Sequence, residues 1–158
     1  MKEDIKEFIN NPTGKIGKGK FCKECGRYND RHITCDIIPV KEDNKILLTL
    51  RNIEPEKNKW SLPGGYVGWD ETVEECARRE LYEETGYKAG KIKFLKVYSN
   101  PNRDDGRQNI TLCHVATKLK KNSDFDKEEV KEIKWFSMDD LPELAFDHRN
   151  MIEEYLNS

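Results

Sequence analysis

No stretch of this sequence is apolar over anything near the ~20 residues that a helix needs to cross a bilayer. The opening residues, MKEDIKEFINNPTGK, hold no apolar segment of the secretory kind. An excess of either charge is lacking too. There are 28 basic and 30 acidic residues, a formal net charge of -2, so the chain has no broad basic footprint for duplex nucleic acid. Apolar residues are scarce, 35% against 37% charged, a balance often met in solvated chains. Self-repelling disordered chains usually carry a large charge imbalance, however, and three tryptophans, Trp60, Trp69 and Trp135, suit a folded core. The five cysteines, at 22, 25, 35, 76 and 113, form no even framework, which points to a reducing cytoplasm. With 158 residues the chain fits one domain, and folding at that size buries about two-thirds of the unfolded surface.

Residues 1–20 are polar and glycine-bearing and read as a flexible arm; residues 21–158 read as a single domain. Ile33–Val40 and Lys45–Leu50 predict a hairpin of strands across Glu42-Asp43-Asn44, with Pro39 marking an edge or a bulge. Trp60-Ser61-Leu62 predicts a short strand ending at Pro63-Gly64-Gly65. Further strands are expected at about 91–98, 109–117 and 130–136, a helix-start signal at Ser137–Asp140, and a last helix at about 147–156. The strongest helix is 71–85, with Thr72 and Glu75 or Asp70 to cap its start and Gly86 just past its end. This order fits an α/β or α+β sandwich built on a mixed sheet.

On that helix Val73, Ala77 and Leu81 form an apolar stripe, and Glu80 and Glu84 point nearly the same way, with Glu83 on the flank. Like charges at this spacing repel, and the helix dipole opposes them at its C-terminal end. Two accounts suit such a face. One is an exposed glutamate-rich helix partnered by Arg78 and Arg79; the other is a set of ligands for a hard divalent cation and its phosphate substrate.

The wider spacing favours the second. From Gly65 the chain runs five residues to Glu71, seven to Arg79-Glu80-Leu81, one to Glu83-Glu84, then Thr85, Gly86 and Tyr87. This resembles the Nudix box, G-x5-E-x7-R-E-U-x-E-E-x-G-U with U apolar, at all seven fixed positions. Seven such matches coincide by chance less than roughly once in ten million starts. The resemblance implies an α/β/α sandwich with a mixed sheet and a loop–helix–loop box. It also implies divalent-metal-dependent hydrolysis of a nucleoside diphosphate linked to another moiety. By position, Glu80, Glu83 and Glu84 would bind Mg²⁺ or Mn²⁺, Arg79 and Glu71 would pair to brace the box, and Gly65 would make the turn before the helix. Glu80 or Glu83 would orient or deprotonate the attacking water. The acidic stretch before residue 130 is the other source of a base or ligand, with Glu128 or Glu129 favoured.

Val97-Tyr98-Ser99-Asn100-Pro101-Asn102-Arg103-Asp104 looks like the corresponding segment of short archaeal and bacterial ADP-ribose pyrophosphatases. That resemblance implies cleavage of ADP-ribose to AMP and ribose 5-phosphate. Arg103 and Arg51 are then phosphate contacts and Tyr98 a stacking or core residue. The alternatives are hydrolysis of oxidised or non-standard nucleoside triphosphates and a catalytically inactive nucleotide-sensing module. Inactive relatives usually have eroded boxes, and all four box glutamates are present here. Nothing resembles the Pro- and Trp-rich motif of the NADH-cleaving relatives. Cys22-Lys23-Glu24-Cys25 is a single knuckle of the zinc-ribbon kind. His32 and Cys35 would be needed to complete a zinc set; unmetallated or redox-linked thiols are the other options. Cys76 and Cys113 are expected in the core, and His114 and His148 have no evident partner. A homodimer is the expected assembly, with neither membrane nor duplex nucleic acid as a partner.

Overall fold

The computed structural model describes residues 21–23, 27–28, 31–103 and 108–158. The proposed arm, residues 1–20, and Cys25 of the knuckle lie outside the described residues. Two short strands, β1 (Phe21–Cys22) and β2 (Arg27–Tyr28), pair antiparallel.

The central strand is β3 (Ile33–Lys41). It pairs with β4 (Lys45–Arg51) only beside the turn, at Val40 with Ile46 and Lys41 with Lys45. Further back it runs parallel to β8 (Ile110–Lys121), and its outer edge takes β6 (Gly64–Tyr66). The expected hairpin therefore opens after two pairs, because β6 takes the same edge of β3 from Thr34 to Asp36 and β4 pairs along its length with β9 (Val130–Ser137). Pro39 was expected to mark an edge, yet it lies in a central strand opposite Ala116. It falls where the outer edge of β3 passes from β6 to β4, so no ladder pair on that edge calls on its missing donor. Strand β7 (Tyr87–Tyr98) flanks β8, while β5 (Trp60–Ser61) and β9 (Val130–Ser137) flank β4, giving a mixed seven-stranded sheet.

The core lies on both faces of this sheet. Side chains alternate along a strand, so Ile37 and Ile38 bury in opposite directions. Ile37, Cys35 and Ala116 pack under α1 (Val73–Thr85) with Cys76, Ala77 and Leu81. Ile38, Ile46, Leu48 and Val115 pack under α2 (His148–Leu156) with Met151 and Ile152. Two-sided burial explains the near-continuous apolar run of β3. The outcome is the α/β/α sandwich expected from the sequence. Among the described residues no helix is long and apolar enough to cross a membrane.

The helix expected to start at Ser137–Asp140 is a turn. Met138 is buried in the core with its N–H on the Asn44 carbonyl, and Asp140 closes back on Ser137. Pro142 then disfavours helical backbone at Leu141. The chain next lies along β5, where the Ala145 N–H reaches the Trp60 carbonyl at 2.7 Å, and turns helical only at His148.

Helix α1 is sharply bounded. Thr72 and Glu75 form a reciprocal capping box, and Gly86 ends the helix at φ 72° with its N–H on the Tyr82 carbonyl. A Cβ at Gly86 would stand 2.1 Å from the Ser123 carbonyl oxygen. Thr72→Ala is expected to cost about 1 kcal/mol. Gly86→Ala should cost more, through the positive φ and the collision with backbone. Urea unfolding midpoints measure both, and the reverse order would contradict this account of the helix ends.

Candidate active site at the Gly64–Gly65 turn and helix α1

The capping box fixes the rotation of α1, and that rotation turns Glu80 and Glu84 inward with the apolar stripe. Each is only 8% exposed. Glu83, one step round the helix, stays exposed. Strand β6 brings Gly64 and Gly65 against these carboxylates. The Gly64 N–H donates to Glu84 Oε2 at 3.2 Å, and a Cβ at Gly65 would meet Glu80 Oε1 at 2.4 Å. The glycines are needed because carboxylates fill the space that side chains would take.

Arg79 is the hub of this wall. Its Nε and Nη2 donate to the two oxygens of Glu71 at 2.9 and 2.6 Å, in a bidentate pair. Its Nη1 donates to Glu80 at 2.7 Å and Glu83 at 3.0 Å, and Nη2 also reaches the Tyr66 carbonyl at 3.1 Å. The Arg79 guanidinium, helped by the Gly68 N–H, lowers the Glu71 carboxyl to about 2. The opposite holds deeper in. Burial raises Glu80, against the pull of Arg79 and with the push of Glu83 and Glu129. Burial also raises Glu84, well above the usual carboxylate range, and the Glu80 charge adds to it.

A cavity of about 650 Å³ opens beside this wall. Glu84, Glu129, the two glycines, Arg51, Pro55 and Phe146 all line it, and the Arg51 charge reaches Glu84. Arg51 donates from Nε to the Pro55 carbonyl and stands 5.1 Å over the Phe146 ring. Thr34, Asp36, Arg103, Asn109, Thr111 and His148 complete the lining.

The sequence-derived candidates distribute as follows. Glu71, Arg79, Glu80, Glu83, Glu84 and Gly65 come together at the wall. Glu129 lines the cavity, whereas Glu128 does not: its backbone is taken by Asp126 and Asn52 and its side chain is exposed. Arg51 and Arg103 both line the cavity. Tyr98 is turned away from it, donating to Glu154 on α2 at 3.0 Å and packing on the core. Cys35 is fully buried beneath α1 with its thiol on the Val73 carbonyl at 3.2 Å. Cys76 and Cys113 are core residues, as expected. His148 does have partners: its Nδ1 accepts the Leu62 N–H at 2.9 Å, and Nε2 faces Asp36. Asp36, Thr34, Thr111 and Phe146 went unnoticed in the sequence. They belong to no motif; alternation puts Thr34 and Asp36 on one face of β3, and Thr111 joins them only through the parallel pairing with β8.

Residues 30–155 match the NUDIX domain family. The chain belongs to this family. It is 38% identical over 153 residues to an ADP-ribose pyrophosphatase of Methanocaldococcus jannaschii, covering 94% of this chain and 87% of that protein. It is 28% identical over 114 residues to the ADPR responsive transcriptional repressor NtrR of Acinetobacter baylyi, covering 70% of this chain but 46% of that protein. Among solved structures, the NUDIX domain of Shewanella oneidensis NrtR complexed with ADP ribose superposes with a TM-score of 0.73 at 26% identity, covering 96% of each chain. The Nudix box is thus the loop–helix–loop described above.

Divalent cations serve Nudix hydrolases, and the donor chemistry here suits one. The wall offers carboxylate oxygens, and burial opposes the ionisation of Glu80 and Glu84, offset by Arg79 only in part at Glu80. Among the described residues no three acidic, His or Cys side chains are already gathered around one point; Arg79 draws Glu80 and Glu83 onto itself instead. The Glu84 carboxyl, raised in the folded protein, loses stability for the fold as pH rises from the unfolded carboxylate value through the folded one. Glu84→Gln keeps the acceptor for Gly64 without the charge. In metal-free buffer at pH 7.5 it should unfold at a higher urea concentration than the wild type; an unchanged or lower midpoint would contradict the uncompensated charge. Glu71, held low, contributes stability above the unfolded value that is lost as pH falls toward about 2.

Proposed function

We propose that this Nudix hydrolase cleaves the pyrophosphate of ADP-ribose, with water and a divalent cation, to AMP and ribose 5-phosphate. The observation that carries this is a cavity of nucleotide size lined both by acidic side chains, Glu84 and Glu129, and by Arg51 with Phe146. The archaeal relative and the ADP-ribose complex support the choice of substrate. Mg²⁺ is the preferred ion and Mn²⁺ its substitute.

Glu80, Glu83 and Glu84 would hold the cation. When bound, it neutralises phosphate oxygens and lowers the pKa of a coordinated water. Arg79 and Glu71 keep the carboxylates at the Gly64–Gly65 turn. Arg51 lines the cavity, where its guanidinium meets phosphate charge and the Phe146 ring offers a face for the base. Glu129 receives the proton of the attacking water, being exposed at the cavity edge and within electrostatic reach of Glu80 and Glu84. The water oxygen bonds to one phosphorus, the bridging P–O bond breaks, and the bridging oxygen leaves on the other phosphate. Three free buried cysteines, Cys35, Cys76 and Cys113, agree with a reducing cytoplasmic setting.

The test is product analysis across ADP-ribose, oxidised dGTP, diadenosine polyphosphates and NADH. AMP and ribose 5-phosphate should appear from ADP-ribose only with Mg²⁺ or Mn²⁺, and Glu83→Gln should lower kcat on the order of 100-fold. A tenfold or greater kcat/KM preference for a nucleoside triphosphate would overturn the substrate; no turnover of any nucleotide would overturn the enzyme.

A further inference from the structure

Glu129 reaches the cavity from a loop outside the box. Residues 126–130 form a single turn of α type, closed by the Val130 N–H on the Asp126 carbonyl at 3.0 Å. One such turn leaves most of its amides and carbonyls unpaired and does not hold its shape alone. Here both of its ends are capped. At the start, the Asp126 carboxylate accepts the Glu128 N–H at 2.8 Å. The Asp126 N–H in turn donates to the Glu83 carbonyl at 2.8 Å. The turn is thereby fastened to the end of α1 that carries the acidic wall.

The other end is taken by one residue. Asn52 Nδ2 donates to the Lys127 carbonyl at 3.1 Å and to the Glu128 carbonyl at 3.0 Å. Its backbone N–H donates to the Glu129 carbonyl at 2.8 Å. Asn52 therefore meets three successive carbonyls of the turn. The carboxamide suits the place because its nitrogen carries two protons, one for each carbonyl oxygen. An aspartate of the same shape would set lone pairs against lone pairs.

The position of Asn52 in the chain adds to this. It follows Arg51, which lines the cavity, and Arg51 pairs with Val130 where the β4–β9 register shifts. Irregularities of this kind re-aim the side chains beside them. Successive side chains on a helical turn point about 100° apart, so the neighbours Glu128 and Glu129 do not face the same way. Glu129 lines the cavity and its charge reaches Glu80 and Glu84, whereas Glu128 does not line it. Asn52 itself is not among the described residues that line the cavity.

We propose that Asn52 is a positioning residue: its carboxamide holds the 126–130 turn so that Glu129, and not Glu128, faces the cavity. This rests on the reading above in which Glu129 receives the proton of the attacking water. Asn52 touches no substrate atom and acts through Glu129.

A double-mutant cycle of Asn52→Ala with Glu129→Gln tests this, using the whole chain, ADP-ribose and Mg²⁺. Asn52→Ala keeps the backbone bond to Glu129 and loses both side-chain bonds. It should lower kcat about tenfold while KM stays within about twofold, since a misplaced base slows the chemistry without loosening the substrate. Glu129→Gln should lower kcat on the order of 100-fold. Adding Asn52→Ala to Glu129→Gln should then cost nothing further, because both changes act on one group. Asn52→Leu, similar in shape and without a donor, should repeat the pattern and serves if the alanine variant does not fold. A loss from Asn52→Ala that persists undiminished in the Glu129→Gln background overturns the proposal, as does a loss confined to KM. A slow Glu129→Gln beside a folded Asn52→Ala of wild-type kcat overturns the role of Asn52 alone. A Glu129→Gln of wild-type kcat overturns the assignment of Glu129 as base, and the role of Asn52 with it.

Discussion

Arg79 donates to three carboxylates and a backbone carbonyl at once, and the site depends on that sharing. The bidentate grip on Glu71 ties the loop before α1 to the helix itself. The remaining donors hold Glu80 and Glu83 in reach of the Gly64–Gly65 turn. One positive charge is too few for Glu71, Glu80, Glu83 and Glu84 together. Glu71 takes most of it and sits far below its ordinary value, while Glu84, beyond the reach of the guanidinium, is pushed the other way by burial and by Glu80. The protein has folded a charge deficit into its own core layer, which is the state that hard divalent cations relieve.

The sheet makes that deficit possible. Strand β3 is buried on both faces, carries α1 on one side and α2 on the other, and brings β6 to its outer edge. Gly64 and Gly65 are thus pressed between the Asp36 carboxylate of β3 and the glutamates of α1. Two glycines in sequence serve two different contacts, since a Cβ at Gly64 would strike Asp36 and a Cβ at Gly65 would strike Glu80. The same short turn is joined to α2 through Leu62 and His148. Both helices therefore bear on one loop, and the cavity lies where they meet it.

Much of this was legible beforehand because its signals are local. Thr72 with Glu75 and Gly86 bounded α1, and helix periodicity put Glu80 and Glu84 on the inward face. The box spacing picked out Arg79 and Glu71 as partners. What stayed hidden depends on strand pairing across long separations. Asp36 and Arg103 are 67 residues apart in sequence, and Thr34 meets Thr111 only because β3 and β8 run parallel. Ser137–Asp140 read as a helix start because local cap chemistry was present; buried Met138 and the contact with β5 overrode it. Tyr98 misled for a related reason, as the segment around it has pocket-like chemistry while strand alternation turns its ring toward α2.

The charge deficit is the central claim, and a direct titration with Mn²⁺ tests it. Binding isotherms for metal-free wild type and for Glu84→Gln, both checked for native folding, isolate the buried carboxylate from the exposed ones. The account predicts saturable binding by wild type, weakened at least tenfold by Glu84→Gln. Indistinguishable isotherms would contradict it.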